Sequence, residues 1–134
     1  MKTAGYSGTP LVRKLGIKPG ARTTFLDPPP QFAALLGEMP DGAKTATRGT
    51  IDFAIAFVKT KAALVKRFDA LIDRLTADGM IWVSWPKKSS GVATELTENL
   101  IRDIGLAAGL VDVKVCAIDE TWSGLKFVRR LRDR

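Results

Sequence analysis

Residues 52–85 read DFAIAFVKTKAALVKRFDALIDRLTADGMIWVSW, and this stretch decides the fold. The runs 52–58 and 80–85 are almost continuously apolar, as expected of strands that are covered on both faces of a sheet. Between them the apolar side chains recur at helical spacing, at Leu64, Val65, Phe68, Leu71, Ile72 and Leu75. A strand–helix–strand unit of this kind predicts an α/β domain with a largely parallel sheet.

The chain before this unit predicts two further strands and two short helices. Thr9 and Pro10 have the pattern of an N-cap and a first helical residue. Residues 21–26 predict a strand that stops at the prolines following it, because proline cannot donate to a sheet ladder. A short helix is expected at 31–36 and a weak edge strand at 43–48.

The chain after this unit predicts a helix and a closing hairpin. The helix is expected from about Thr94 to Ala108, with Asp78-Gly79 ending the helix before it. The runs 111–118 and 124–131 predict two strands, and the short turn between them makes the pair antiparallel. One domain spanning residues 1–134 accounts for all of these elements.

Composition excludes several kinds of chemistry. The chain has no histidine, which rules out a Ser-His-Asp triad and histidine-ligated metals. A single cysteine, Cys116, rules out an internal disulfide and is predicted to be a buried packing residue in mid-strand. The start of the chain has no signal-like apolar segment and no run is long enough to span a bilayer, so we expect a cytoplasmic protein with no membrane contact.

The net charge of +7 lies in the first half of the chain. Residues 1–67 hold eleven Lys or Arg against four acidic residues, whereas residues 68–134 balance. Such a half attracts an anionic small molecule or a nucleic acid, or is simply a solvated basic surface. No nucleic-acid reading motif accompanies the charge, and no cofactor or metal motif is present.

The best candidate site lies where the buried strands end. Ligands of open α/β sheets bind outside the carboxyl ends of the strands, and the loop WPKKSSG (85–91) leaves such an end. Its lysines supply charge, its serines supply hydroxyls, and its glycine permits close backbone approach. Trp122, in the hairpin turn, is expected at the same edge as a wall for a planar ligand. The predicted ligand-binding residues are Lys59, Lys87, Lys88, Ser89, Ser90, Gly91 and Trp122.

Structural interpretations compete with each of these assignments. The two lysines are equally compatible with a solvated loop, and the serines with helix caps. Trp122 is compatible with a residue that covers one end of the core. The segment GYSGTP (5–10) is either a loop that brings Tyr6 over the crevice or a plain entry into a helix. Asp119 and Glu120 point to opposite sides of a strand, so a paired-carboxylate mechanism is not expected.

The order of elements over residues 20–131 resembles a truncated class I methyltransferase fold. That resemblance implies a small Rossmann-like three-layer domain whose C-terminal hairpin strand is antiparallel to the rest of the sheet. It also implies a glycine-rich turn after the first strand that approaches S-adenosylmethionine. Here that turn is Asp27-Pro28-Pro29-Pro30, which lacks backbone donors and predicts weak binding of the cofactor.

Three stretches resemble a bacterial family that is defined as a domain of unknown function: GYSGTPL (5–11), WPKKSSGVATELTE (85–98) and GLVDVKVCAIDETWSGLKFVRR (109–130). This resemblance implies a real, compact domain and no particular reaction. The best functional hypothesis is a non-catalytic module or regulatory subunit that binds an anionic or nucleotide-like ligand. The alternatives are a basic nucleic-acid-binding protein and an S-adenosylmethionine-dependent methyltransferase.

Overall fold

Six strands and four α-helices make up the fold in a computed structural model that describes residues 9–134. Tyr6 and the rest of segment 5–8 lie outside the described residues. The strands are β1 (Arg22–Leu26), β2 (Lys44–Thr45), β3 (Ile51–Phe57), β4 (Leu75–Pro86), β5 (Leu110–Ala117) and β6 (Trp122–Arg129). The helices are α1 (Leu11–Leu15), α2 (Phe32–Leu36), α3 (Lys61–Ile72) and α4 (Glu98–Ala107), with short 3-10 turns at Lys88–Ser90 and Leu131–Asp133.

The strands form one sheet in the order β2-β1-β3-β4-β6-β5. Strand β3 lies inside the sheet and is parallel to β1 and β4, while β6 is antiparallel to both β4 and β5. The predicted central strand, its parallel neighbours and the antiparallel final strand are therefore confirmed. The continuous apolar run of β3 is explained by its burial on both faces.

Helices cover both faces of this sheet and complete a Rossmann-like three-layer α/β fold. On one face Phe68 of α3 packs edge-on against Phe127 of β6, with ring centroids 5.2 Å apart. On the same face a Cβ at Gly105 of α4 would overlap the Phe127 ring, so glycine permits the close approach of α4 to β6. The other face is covered by α1 and α2 through buried Leu15 and Phe32.

Buried tryptophan ties α1 to the sheet. Trp82 is 0% exposed, and its Nε1 donates a hydrogen bond of 2.9 Å to the carbonyl of Leu15. Phe57 and Phe127 are also buried, whereas Ile104 is only partly buried. On α4 the buried side chain of Ile101 packs in the core, whereas Ala107 at the end of the helix is exposed.

Three predicted boundaries are wrong for identifiable reasons. Helix α1 begins after Pro10, with no side-chain cap from Thr9. Helix α3 ends at Ile72, and Asp78-Gly79 belongs to β4, which is entered early through a register shift opposite Ile51 and Phe53. Helix α4 begins at Glu98 because Thr97, and not Thr94, accepts the capping hydrogen bond from the backbone of Leu100.

Candidate functional site

The sheet has a topological switch point between β1 and β3. From β1 the chain moves outward to β2, whereas from β3 it moves to β4 on the other side. Connections that diverge in this way leave a crevice at the carboxyl ends of the two strands, where ligands of open α/β sheets bind. We call this end of the parallel strands the carboxyl edge.

A cavity of about 490 Å³ lies at the switch point. It is bounded by the turn after β1, the end of β3, the first turn of α3 and one residue of the final hairpin. The residues that line it are Asp27, Pro29, Pro30, Phe57, Val58, Lys59, Thr60, Ala63 and Trp122. We call it the switch-point cavity.

Aromatic rings form the floor and one wall of the switch-point cavity. Phe57 stands edge-on to Trp122, with centroids 5.2 Å apart and planes at 85°. Phe57 also packs on Phe32 of α2 at 5.0 Å. Trp122 is only 8% exposed, so it both covers the end of the core and presents an edge to the cavity. The interpretation of Trp122 as a residue that covers one end of the core is therefore confirmed, and its role toward a ligand stays a prediction.

Asp119 fixes the hairpin turn that carries Trp122. Its Oδ1 accepts backbone hydrogen bonds from Thr121 at 2.8 Å and from Trp122 at 2.7 Å. Its Oδ2 accepts a hydrogen bond of 3.1 Å from the side chain of Gln31. The side chain is buried while Glu120 is exposed. Asp119 is thus a structural carboxylate that positions the backbone of Trp122.

The turn after β1 offers few donors to a ligand. Asp27 has a positive φ of 54°, which is uncommon for a residue with a side chain. Its carboxylate is held by Arg67 of α3, with Nη2 and Oδ2 2.8 Å apart. Residues 28–30 are prolines and have no N–H group. The turn is therefore an apolar rim whose one carboxylate is engaged by an arginine.

The amino end of α3 already carries a carboxylate from its own chain. Thr60 caps the helix by accepting from the backbone of Ala63 at 3.1 Å. Glu95 Oε1 accepts from the backbone of Lys61 at 2.5 Å, and Thr94 Oγ1 donates to the carbonyl of Lys59 at 2.6 Å. The positive end of the helix dipole is thus partly satisfied by Glu95.

The predicted site residues gather at the carboxyl edge but not around one cavity. Lys59 and Trp122 line the switch-point cavity. Lys88 and Gly91 line a second cavity of about 440 Å³ between the end of β4 and the start of α4. The second cavity is also lined by Trp85.

The remaining predicted residues serve the loop itself. The backbone of Lys87 donates to the carbonyl of Thr121 at 2.7 Å, which joins the loop to the hairpin turn. Ser90 Oγ donates to the carbonyl of Lys87 at 2.6 Å and accepts from the backbone of Val92 at 3.1 Å. Ser89 is exposed. The geometry of Ser90 is that of a local cap, the structural interpretation considered for the serines.

Two features of this edge escaped sequence reasoning. The sequence indicates Pro29 and Pro30 as the end of a strand and as a turn without donors, but not as part of the lining of a cavity, where the structure has them. Glu95 carried no signal, because its partner at the start of α3 lies more than thirty residues away in sequence.

Over residues 9–134 no group of three or more Cys, Asp or Glu is placed to hold a metal ion. In the same part of the chain, no helix combines the length and hydropathy needed to cross a bilayer.

Solved structures with a similar fold were compared with this chain by superposition. Fibrillarin from Aeropyrum pernix, solved with bound S-adenosyl-L-methionine, superposes with a TM-score of 0.62 at 14% identity over 92% of this chain and 70% of that chain. A SAM-dependent methyltransferase from Aquifex aeolicus gives 0.61 at 12% identity over 87% and 86%. The chain has a methyltransferase fold. Ribosomal protein L11 methylase from Lactobacillus delbrueckii is also similar, with a TM-score of 0.55 at 14% identity over 90% and 75%.

No family model matches the sequence, and no curated protein matches it. Identities of 12–14% to these three structures establish the methyltransferase fold and not its activity.

Proposed function

We propose that the protein binds an anionic, nucleotide-like small molecule in the switch-point cavity, as a non-catalytic module or a regulatory subunit. The proposal rests on the lining of the cavity at the switch point, which combines aromatic rings and prolines with the side chain of Lys59. Small-molecule sites typically combine a mostly apolar lining with a few polar groups that fix orientation. This cavity has both parts.

The walls suit a flat ring and Lys59 suits an anion. A ring placed beside Trp122, Phe57 and Pro29 would exchange water for apolar and aromatic contact. Lys59 is exposed and follows β3, so its ammonium can donate to a phosphate or carboxylate at the mouth of the cavity. Trp122 is held by Asp119, which keeps the wall in place before the ligand arrives.

S-Adenosylmethionine, which the fold implies, does not fit the residues of this edge. The turn that would approach it consists of Asp27 and three prolines, and prolines have no N–H to donate. The amino end of α3 is taken by Glu95. The remaining cation, Lys59, would repel a positively charged sulfonium group. We therefore derive no methyl-transfer step.

Isothermal titration calorimetry with AMP as the probe tests the proposal. We expect AMP to bind the wild-type protein and to raise its Tm, because a ligand that binds only the folded state stabilises it. Lys59→Met should weaken the binding about tenfold, the effect of removing one charge-assisted hydrogen bond. Lys88→Met, which removes the same charge from the neighbouring cavity, is the matched control and should leave the affinity unchanged.

Three other outcomes of these titrations would favour a different site or a different function. If Lys88→Met abolishes binding and Lys59→Met does not, the ligand lies in the second cavity and the switch-point proposal is wrong. If S-adenosylmethionine binds more tightly than AMP, the methyltransferase alternative is supported instead. Tight binding of an oligonucleotide that falls steeply with salt, with no response to AMP, would favour the nucleic-acid alternative.

A further inference from the structure

A second group of cations lies at the opposite end of the sheet, at the amino edge of β3 and β4. Lys18, Lys126 and Arg134 line a cavity of about 370 Å³ there. The other residues that line it are Gly16, Asp78, Gly79, Met80 and Val128. Lys114 of the edge strand β5 is the direct cross-strand partner of Lys126. We call Lys18, Lys114, Lys126 and Arg134 the basic cluster.

Two lysines of the basic cluster, Lys114 and Lys126, lie where their charges repel each other. Like charges directly opposite each other in an antiparallel pair destabilise a sheet, and Lys114 and Lys126 are such a pair. Burial lowers the pKa of Lys126, and repulsion from Lys114 and Lys18 lowers it further. Among the residues that line this cavity, Asp78 is the one acid. The positive charge is therefore concentrated and only partly compensated.

Packing holds the cluster in place. Helix α1 ends at Gly16, where a Cβ would lie 3.9 Å from the Lys126 ammonium, so the helix end and the ammonium are close neighbours. Lys114 Nζ donates to the carbonyl of Lys14 at 3.3 Å, which joins β5 to α1. Each ammonium has three donors. The bond to Lys14 engages one donor of Lys114, whose charge adds to the field of the cavity lined by Lys18, Lys126 and Arg134.

We propose that the basic cluster binds a compact polyphosphate group. Several cations around one concave volume match the charge density of a di- or triphosphate. The Nε of Arg134 donates to the carbonyl of Arg129 at 3.0 Å, which leaves its two terminal nitrogens for phosphate oxygens. A polynucleotide is less well matched, because no aromatic side chain lines this cavity for base stacking. The site is distinct from the switch-point cavity and does not depend on it.

Calorimetry with inorganic tripolyphosphate tests this proposal. The wild-type protein should bind it, and Lys126→Met should weaken binding about tenfold. Lys66→Met removes the same charge from an exposed position on α3 and should have no effect. Lys126→Met should weaken binding by the same factor in a Lys59→Met background, which separates this site from the one proposed above. Because Lys126→Met removes a repulsion, it should fold at least as stably as the wild type, and a Tm measurement checks this.

The remaining measurements distinguish which kind of phosphate ligand binds the basic cluster. Equal affinity for tripolyphosphate and ATP supports recognition of the phosphate chain alone. Tripolyphosphate binding that is lost with Lys59→Met and kept with Lys126→Met overturns the proposal, because the anion would then lie in the switch-point cavity. Equal losses with Lys66→Met and Lys126→Met also overturn it, because they show a general charge effect. So does a thymidine 20-mer that binds more tightly than tripolyphosphate and depends on Lys126, since the ligand would then be a polynucleotide.

Discussion

The two edges of the sheet use positive charge in opposite ways. At the carboxyl edge, cations and helix dipole are met by acids of the chain itself: Arg67 holds Asp27, and Glu95 caps α3. At the amino edge, Lys114 and Lys126 face each other at the cost of repulsion. The switch-point cavity of the carboxyl edge is thus mostly apolar with one lysine in its lining, whereas the cavity of the amino edge is lined by three cations and one acid. A basic composition alone does not distinguish these two arrangements.

The largest expected effect comes from the tryptophan beneath the amino edge. Trp82→Ala should lower the free energy of unfolding by about 3–5 kcal/mol, because it leaves a cavity under α1 and removes the hydrogen bond to Leu15. Loss of α1 packing should displace Lys18 and weaken tripolyphosphate binding. Urea unfolding followed by circular dichroism measures the stability.

Trp82→Phe is the control for this change. It keeps much of the buried ring but loses the N–H donor, so its cost should be clearly smaller than that of alanine. If Trp82→Ala unfolds at the same urea concentration as the wild type, the ring does not support α1 as described.

The carboxyl edge is tested through the carboxylate that holds its hairpin turn. Asp119→Ala removes the acceptor of two backbone hydrogen bonds and of Gln31, so we expect a loss of about 1.5–3 kcal/mol. AMP binding should weaken with it, because Trp122 is no longer positioned. Unfolding curves and calorimetry on the same sample give both values.

Asp119→Asn keeps one side-chain acceptor and should retain most of the stability. Loss of tripolyphosphate binding with retained AMP binding in Asp119→Ala would contradict the comparison. The hairpin turn would then affect the basic cluster at the amino edge and not the switch-point cavity beside it.

Sequence patterns predicted the fold well because the fold depends on local periodicity. The apolar runs of β3 and β4 and the helical spacing of α3 each reflect burial that is visible residue by residue. The short link between β5 and β6 fixed their antiparallel pairing. The boundary at Asp78-Gly79 was missed because a register shift, set by pairing with β3, draws turn-forming residues into a strand.

The candidate site was only partly predictable for the same physical reason. The rule that parallel strands share a carboxyl edge brought Lys59, Lys88 and Trp122 to one end of the sheet. It does not divide that edge into cavities, and the division here depends on Thr94 and Glu95 contacting the start of α3. The basic cluster joins residues more than a hundred positions apart, so charge counting found the excess without finding its place.

A smaller effect tests the repulsion at the amino edge. Lys126→Met should raise the free energy of unfolding at neutral pH by up to about 1 kcal/mol, since it removes a like-charge cross-strand pair. The pKa of Lys126 is lowered from its ordinary value of 10.5 by burial and by Lys114 and Lys18. The unfolded chain therefore holds this proton to higher pH than the folded one, and wild-type stability gains as pH rises toward 10.5.

The advantage of the methionine variant should accordingly shrink between neutral pH and 10.5, as measured by urea unfolding at several pH values. Lys66→Met, on the surface of α3, serves as the control and should show no such trend. An advantage that stays constant across this range would mean that Lys126 carries no unfavourable charge in the folded protein.

The smallest change in stability should come from the acid that caps α3, and it tests the contrast between the edges most directly. Glu95→Gln keeps an oxygen that can accept from Lys61 but removes the negative charge from the helix end, so its cost should be about 0.3 kcal/mol. The same change should make the carboxyl edge more positive, because the dipole of α3 and Lys59 are no longer offset. AMP should then bind about two- to threefold more tightly by calorimetry, within the range of a helix-dipole effect. Glu120→Gln removes an equal charge from the exposed hairpin turn at the same edge and is the matched control. An equal gain in AMP affinity in both variants would reflect net charge alone. A gain confined to Glu95→Gln would show that the carboxylate of Glu95 competes with outside anions for the amino end of α3.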